Sequence, residues 1–122
     1  MKTILIADDD RNLSLLYEEE LTDEGYRVEV VNDAKSAIAR VEEAPPDLLV
    51  LDIRMPGMDG IEALSHILGR NNKLPVILNT AYSNYKDNFM TWAADAYVVK
   101  SSDLTELKDT IREVLERRAD DG

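Results

Sequence analysis

Residues 48 to 60 read Leu48-Leu49-Val50-Leu51-Asp52-Ile53-Arg54-Met55-Pro56-Gly57-Met58-Asp59-Gly60. Four consecutive apolar residues, Leu48 to Leu51, suit a strand covered on both faces, since a strand with one wet face would alternate. The run stops at Asp52, the turn formers Pro56 and Gly57 follow, and Asp59 is placed to cap a helix with the apolar spacing Ile61, Leu64 and Leu68. A buried strand, a loop that opens on an acid, and a helix together make one βα unit of a parallel sheet.

The same unit recurs on both sides of this stretch. Thr3 to Ala7, Arg27 to Val31, Val76 to Leu78 and Ala96 to Val99 are further strand-like runs. Between and after them the apolar spacing becomes helical, in Leu13, Leu16, Tyr17 and Leu21, in Ala37, Ile38 and Val41, and in Leu104, Leu107, Ile111, Val114 and Leu115. Gly25 ends the first helix, Pro45 and Pro46 stop the second, and Gly69 with Asn71 and Asn72 follows the third. Asp103 and Glu106 have capping-box spacing at the start of the last helix. A fourth helix is expected between Asn84 and Trp92, built from poor helix formers such as Asn84, Tyr85, Asn88 and Thr91. Five strands alternating with five helices, joined by right-handed crossovers, predict a doubly wound α/β domain with a parallel sheet covered on each face. The domain is expected over residues 1–118, with residues 119–122 as a frayed polar tail.

A chain of 122 residues is one domain long. Its 14 basic and 25 acidic residues leave a formal net charge of −11, which argues against sequence-independent binding to nucleic acid or to an anionic membrane. The absence of cysteine excludes disulfides and thiolate metal sites, and with no apolar run longer than four residues the expected location is the cytoplasm.

In an open parallel sheet, ligands bind beyond the carboxyl ends of the strands. Asp8, Asp9 and Asp10 stand at the first of these ends, Asp52 at the third, Thr80 at the fourth and Lys100 at the fifth. Converging carboxylates repel one another unless a cation compensates them, and an all-oxygen donor set suits magnesium, with manganese as the alternative, better than zinc. A carboxylate beside a metal, a lysine and a hydroxyl is equipped for phosphoryl transfer. Asp52 would be the nucleophile and form an acyl phosphate, with Lys100 neutralising phosphoryl oxygens and Thr80 donating a hydrogen bond. Asp10 is expected as a cap or a solvated acid, Asp59 as a cap, and His66, the only histidine, as a surface residue of the third helix. Tyr85, Phe89 and Trp92 could share one helical face, either as core or, if exposed, as a partner surface.

These residues resemble the receiver domain of two-component response regulators over nearly the whole chain. The matching pieces are Ile4 to Asp10, Leu49 to Gly60, Asn79-Thr80-Ala81 and Ala96 to Lys100. The resemblance implies a flavodoxin-like (βα)5 fold with strand order 2-1-3-4-5 and phosphorylation of Asp52. It also implies magnesium ligation by Asp9 and Asp52 directly, by Asp8 through water, and by the backbone carbonyl of Arg54. Thr80 and Tyr97 would form the switch, and Lys100 would pair with a phosphoryl oxygen. The implied phosphodonor is a histidine kinase or histidine phosphotransfer protein, and the implied readout face for a downstream protein is the fourth helix, the fifth strand and the last helix.

Three positions depart from that pattern. Ser101 follows Lys100 where the family usually has a cis proline, so the bond is either a costly cis peptide or a trans path that shifts Lys100. The interval from Thr80 to Lys100 is about two residues short, which predicts a short or displaced fourth helix, and Ala93 replaces a frequent glycine. The expected function is a signalling phosphoacceptor, with a magnesium-dependent phosphohydrolase and a constitutive, non-switching interaction module as alternatives. A nucleotide-binding flavodoxin-like protein ranks below these because no glycine-rich loop follows the first strand. The resemblance also implies that Arg54 and Tyr82 would flank the path of attacking water, which predicts slow self-dephosphorylation.

Overall fold

The structure, a computed structural model, describes residues 1–82 and 89–121. Its strands are β1 (Thr3–Ala7), β2 (Arg27–Val31), β3 (Leu48–Leu51), β4 (Val76–Thr80) and β5 (Ala96–Val99). Its helices are α1 (Arg11–Asp23), α2 (Ala34–Glu43), α3 (Gly60–Arg70) and α4 (Thr105–Asp121), with a 3₁₀ turn over Phe89–Ala93. The strands form one parallel sheet in the order β2-β1-β3-β4-β5, as expected.

Side chains alternate across the sheet and sort the core into two layers. Leu5, Ala7, Leu49, Leu51, Val76 and Leu78 pack with residues of α2 and α3 on one face. On the other, Ile4, Ile6, Leu48, Val50, Ile77 and Val98 pack under Tyr17 and Leu21 of α1 and under Leu107, Ile111 and Val114 of α4. The central strands β1, β3 and β4 are the near-continuous apolar runs because both of their faces are covered.

Helix ends follow local chemistry. Asp10, Asp33 and Asp59 each accept a backbone N–H three residues on, and so cap α1, α2 and α3. Gly25 adopts φ +96° after α1, where the N–H groups of Gly25 and Tyr26 close back onto the carbonyls of Thr22 and Leu21. Asp33 accepts from both the N–H and the hydroxyl of Ser36, and these bonds hold its carboxyl below the usual aspartate range. A depressed carboxylate contributes stability above its unfolded value that is lost as pH falls through its folded value. Thermal unfolding followed from pH 5 down through 3.8 and below should therefore show a loss that Asp33→Asn, which keeps the cap but cannot titrate, reduces.

Several expectations differ from the structure. Leu16 is exposed, and the buried face of α1 uses Ser14 with Tyr17 and Leu21. Asp103 accepts from the N–H and hydroxyl of Thr105 rather than from Glu106, so the loop into α4 closes one residue tighter than a capping box. Of the helix expected over 84–92, residues 83–88, including Tyr85, lie outside the described residues, and Phe89–Ala93 is 3₁₀ rather than α. The described chain thus has four α-helices where five were expected, consistent with the short interval and its poor helix formers. α4 continues to Asp121, past the boundary at residue 118. Arg118 anchors this helix, since its Nε and Nη2 reach the two carboxylate oxygens of Asp95 at 3.0 and 3.1 Å. Asp95 in turn accepts the N–H of Val76, which ties the end of the helix to the sheet.

Candidate functional site

The carboxyl ends of β1, β3 and β5 bring Asp8, Asp9, Asp52 and Lys100 together. Backbone ladders continue past the strands to fix them: Asp8 N–H donates to Val31, Asp52 N–H to Ala7, and Lys100 N–H to the Thr80 carbonyl at 2.7 Å. The Asp8 carbonyl accepts from Asn32 Nδ2 at 2.9 Å and from Ser14 Oγ at 3.4 Å. On the far side of Asp52, the Gly60 N–H donates to the Ile53 carbonyl at 2.7 Å, seating the start of α3 against the end of β3.

Asp8 and Asp52 are buried while Asp9 is exposed at the mouth. Ligand oxygens of the three acids lie within 4.8 Å of one another. Lys100 Nζ stands 2.7 Å from Asp8 Oδ2 and 3.0 Å from Asp52 Oδ2. The remaining oxygens accept backbone N–H groups, Asp8 Oδ1 from Asp10 at 2.9 Å and Asp52 Oδ1 from Arg54 at 3.3 Å. Burial pushes the Asp52 carboxyl up, and the hydrogen bond and charge of Lys100 offset only part of that rise. Burial pulls the Lys100 ammonium down, but its hydrogen bonds to Asp8 and Asp52 outweigh this and leave it above the ordinary lysine value.

The peptide bonds of the described residues are all trans, so Lys100–Ser101 is trans, yet Lys100 still reaches both acids. Thr80 is fully buried at the end of β4, and its hydroxyl has no hydrogen-bond partner among the described residues. Such a group costs about 1–3 kcal/mol until a partner reaches it. Tyr97 packs partly into the α2–α3 layer and donates its hydroxyl to the Tyr82 carbonyl. The Arg54 guanidinium lies 4.7 Å over the Tyr82 ring, and both line the mouth of the cleft with Asp9, Asp52 and Lys100. Trp92 is largely exposed, and His66 is at the surface.

Asp8, Asp9 and Asp52 offer only carboxylate oxygen, which fits a hard divalent cation. Two of the three acids are shared with an ammonium, so a cation would enter a cleft already partly neutralised. Ser14, Asn32 and Gly60 are structural parts of the site to which the sequence assigned no role. Gly60, next to the Asp59 cap, carried the clearest signal, whereas Asn32 follows an edge strand with nothing to tie it to Asp8.

The family model for the response regulator receiver domain matches residues 4–112. This chain belongs to that family. The receiver domain is 38% identical over 122 residues to the response regulator ArlR of Staphylococcus epidermidis, covering 98% of this chain and 55% of that protein. It is 36% identical over 116 residues to the transcriptional regulatory protein TrcR of Mycobacterium tuberculosis, covering 93% of this chain and 45% of that protein. The chain thus spans about half the length of the curated relatives it matches. Among solved structures it resembles the response regulator TrrA of Thermotoga maritima in complex with Mg(2+)-BeF, with a TM-score of 0.91 and 39% identity over 93% of this chain and 99% of that one. The structure of TrrA in complex with histidine kinase ThkA gives a TM-score of 0.89 and 40% identity, over 94% and 99% of the two chains. A CheY-like receiver domain protein from Methanospirillum hungatei JF-1 gives 0.94 and 30%, over 100% and 99%. No helix among the described residues is long and apolar enough to cross a membrane.

Proposed function

We propose that Asp52 accepts a phosphoryl group from a phosphohistidine on a histidine kinase or phosphotransfer protein, and that the modified receiver domain changes its affinity for a downstream protein. The observation that carries this reading is the placement of Lys100 Nζ at 3.0 Å from Asp52 Oδ2, inside the trio of acids. In the transfer an Asp52 oxygen bonds to phosphorus as the P–N bond to the imidazole breaks, and the imidazole leaves with that electron pair. Asp52 attacks as a carboxylate, so no separate base is required.

Asp8, Asp9, Asp52 and the Arg54 carbonyl would hold a magnesium ion, with manganese as a substitute. The bound ion supplies charge neutralisation on the phosphoryl oxygens. Lys100 neutralises a further oxygen, and the unpartnered Thr80 hydroxyl gains an acceptor when one arrives. Thr80 and Tyr97 then form the switch: Tyr97 releases or keeps the Tyr82 carbonyl according to the state of the cleft. The readout face would comprise the segment before β5, β5 itself and α4, where exposed Trp92 contributes apolar surface. This reading has the receiver domain work in the cytoplasm as a signalling protein without turnover of a small substrate. Incubation with a labelled phosphohistidine protein should move the label to the receiver domain and not to Asp52→Asn. Label that stays on the donor would contradict the reading.

Tyr82 and Arg54 stack at the mouth of the cleft, where water must pass to reach an Asp52 phosphoryl group. Tyr82→Ala removes both the ring and the seat of the guanidinium. The aspartyl phosphate should then decay about three- to tenfold faster, each factor of ten being about 1.4 kcal/mol of barrier. Decay of the labelled protein at equal rates in both forms would remove the shielding argument.

A further inference from the structure

Below the carboxylates lies a buried polar pair to which nothing above assigns a role. Tyr17 on α1 is 1% exposed and Asn79 on β4 is 2% exposed, and Asn79 Nδ2 donates to the Tyr17 hydroxyl at 2.9 Å. The apolar part of their layer is formed by Ile4, Ile6, Leu48, Val50, Ile77 and Val98. Helical spacing marks Tyr17 only as a core residue, so the ring is explained and the hydroxyl is not.

Sheet register shows what the pair sits beside. Leu51 is paired with Ala7 on one side and Leu78 on the other, so one residue further Asp52 stands between Asp8 and Asn79. By alternation, Asp8, Asp52 and Asn79 project to the same face, the one that α1 covers. Val98 is the partner of Asn79 on β5, and Lys100, two residues beyond Val98, shares that face. The ammonium of Lys100 nevertheless ends between Asp52 beyond β3 and Asp8 beyond β1. Since β4 separates β5 from β3, the lysine stem must cross the end of β4 on the Asn79 side. Burial pushes the Tyr17 phenol up, and the charges of Lys100, Asp8 and Asp52 all act on it.

We infer that the Tyr17–Asn79 hydrogen bond is a positioning element for Lys100, a fixed polar bed that directs the lysine side chain from β5 across β4 to Asp52. A lysine on its flexible four-carbon stem has no preferred route of its own, and phosphoryl transfer depends on where its ammonium is held. A hydrogen-bonded phenol and amide offer one rigid surface, held from below by α1 and from the side by β4. This inference rests on the reading of Asp52 as phosphoacceptor.

Tyr17→Phe removes one oxygen and leaves the packing. At saturating acyl-phosphate donor and magnesium, its phosphorylation rate should fall about five- to tenfold, and Asn79→Val should do the same. In a Lys100→Met background neither substitution should change the rate, because the group they position is gone. Equal fold losses in both backgrounds would show that the pair only packs, and no loss in the Lys100 protein would show that it does nothing; either result overturns the inference. A readout independent of phosphorylation is the side-chain ¹⁵Nζ resonance of Lys100 in the unmodified protein, assigned by its loss in Lys100→Met. It should move in Tyr17→Phe, and an unmoved resonance contradicts the inference. If the wild-type protein takes no phosphoryl group, the reading of Asp52 fails, while the resonance still decides the pair.

Discussion

Gly60→Ala should lower the melting temperature of the receiver domain by roughly 10 °C and nearly abolish phosphorylation. A Cβ at residue 60 would lie 2.1 Å from the Asp52 carbonyl oxygen and 2.7 Å from Ile53 Cα. Both neighbours are backbone, so neither can rotate away as a side chain could. The start of α3 would have to lift from the end of β3, losing the Gly60 N–H bond to Ile53 and displacing Asp52 itself. Overpacking costs about 1–3 kcal/mol, at the upper end where backbone meets the new atom, and at a few degrees per kcal/mol for a domain of this size that gives the expected shift. Gly69 supplies the control. It lies in the last turn of α3 with nothing within 4 Å of its built Cβ, so Gly69→Ala should stabilise by about 0.5–1 kcal/mol. Equal melting temperatures for wild type and Gly60→Ala would show that α3 is not seated as described.

Lys100→Met should act in opposite directions on metal binding and on chemistry. In the cation-free protein the ammonium compensates Asp8 and Asp52, whose side chains are only 3% and 6% exposed. Removing it leaves two buried carboxylates facing each other, which should lower stability by about 2–4 kcal/mol near neutral pH. Magnesium would then enter without repulsion from a resident positive charge, and its affinity should rise about tenfold by calorimetry. Phosphorylation should nevertheless slow by about two orders of magnitude, the usual cost of losing one charge aimed at a transition state. The pH dependence follows from the raised ammonium: its contribution is complete below the ordinary lysine value of 10.5 and is lost as pH rises through the higher folded value. Lys100→Met should lack that alkaline loss. Weaker magnesium binding in the variant would mean that Lys100 assists the cation rather than competing with it.

Much of this architecture is legible in the residues because it rests on local periodicity. The run Leu48 to Leu51 reads as a doubly covered strand, and the sheet buries it on both faces. Asp8, Asp52 and Lys100 are found at strand ends by position alone, and the parallel order brings those ends together. What was not legible depends on contacts distant in sequence. Ser14 looks like a polar interruption in the stripe of α1, yet it is buried because its hydroxyl bonds to the carbonyls of Asp8 and Asp10. Asn79 and Tyr17 are 62 residues apart, and only the register of β4 against β3 places them beside Asp52. Weak helix formation around Asn84, Tyr85, Asn88 and Thr91 is legible, but the 3₁₀ path over the described residues Phe89–Ala93 is not, since propensity says where a helix weakens and not what replaces it. At Asp103 the spacing to Glu106 fitted a capping box, while the hydroxyl of the nearer Thr105 captured the carboxylate first.

The central claim is that Asp52 is a magnesium-assisted phosphoacceptor, and intact mass tests it most directly. The protein would be incubated with a small acyl-phosphate donor, with and without magnesium, beside Asp52→Asn. A single added phosphoryl group, dependent on magnesium and absent from Asp52→Asn, is the predicted result. An unmodified wild-type mass under conditions where magnesium binds, or an adduct that persists in Asp52→Asn, would contradict it.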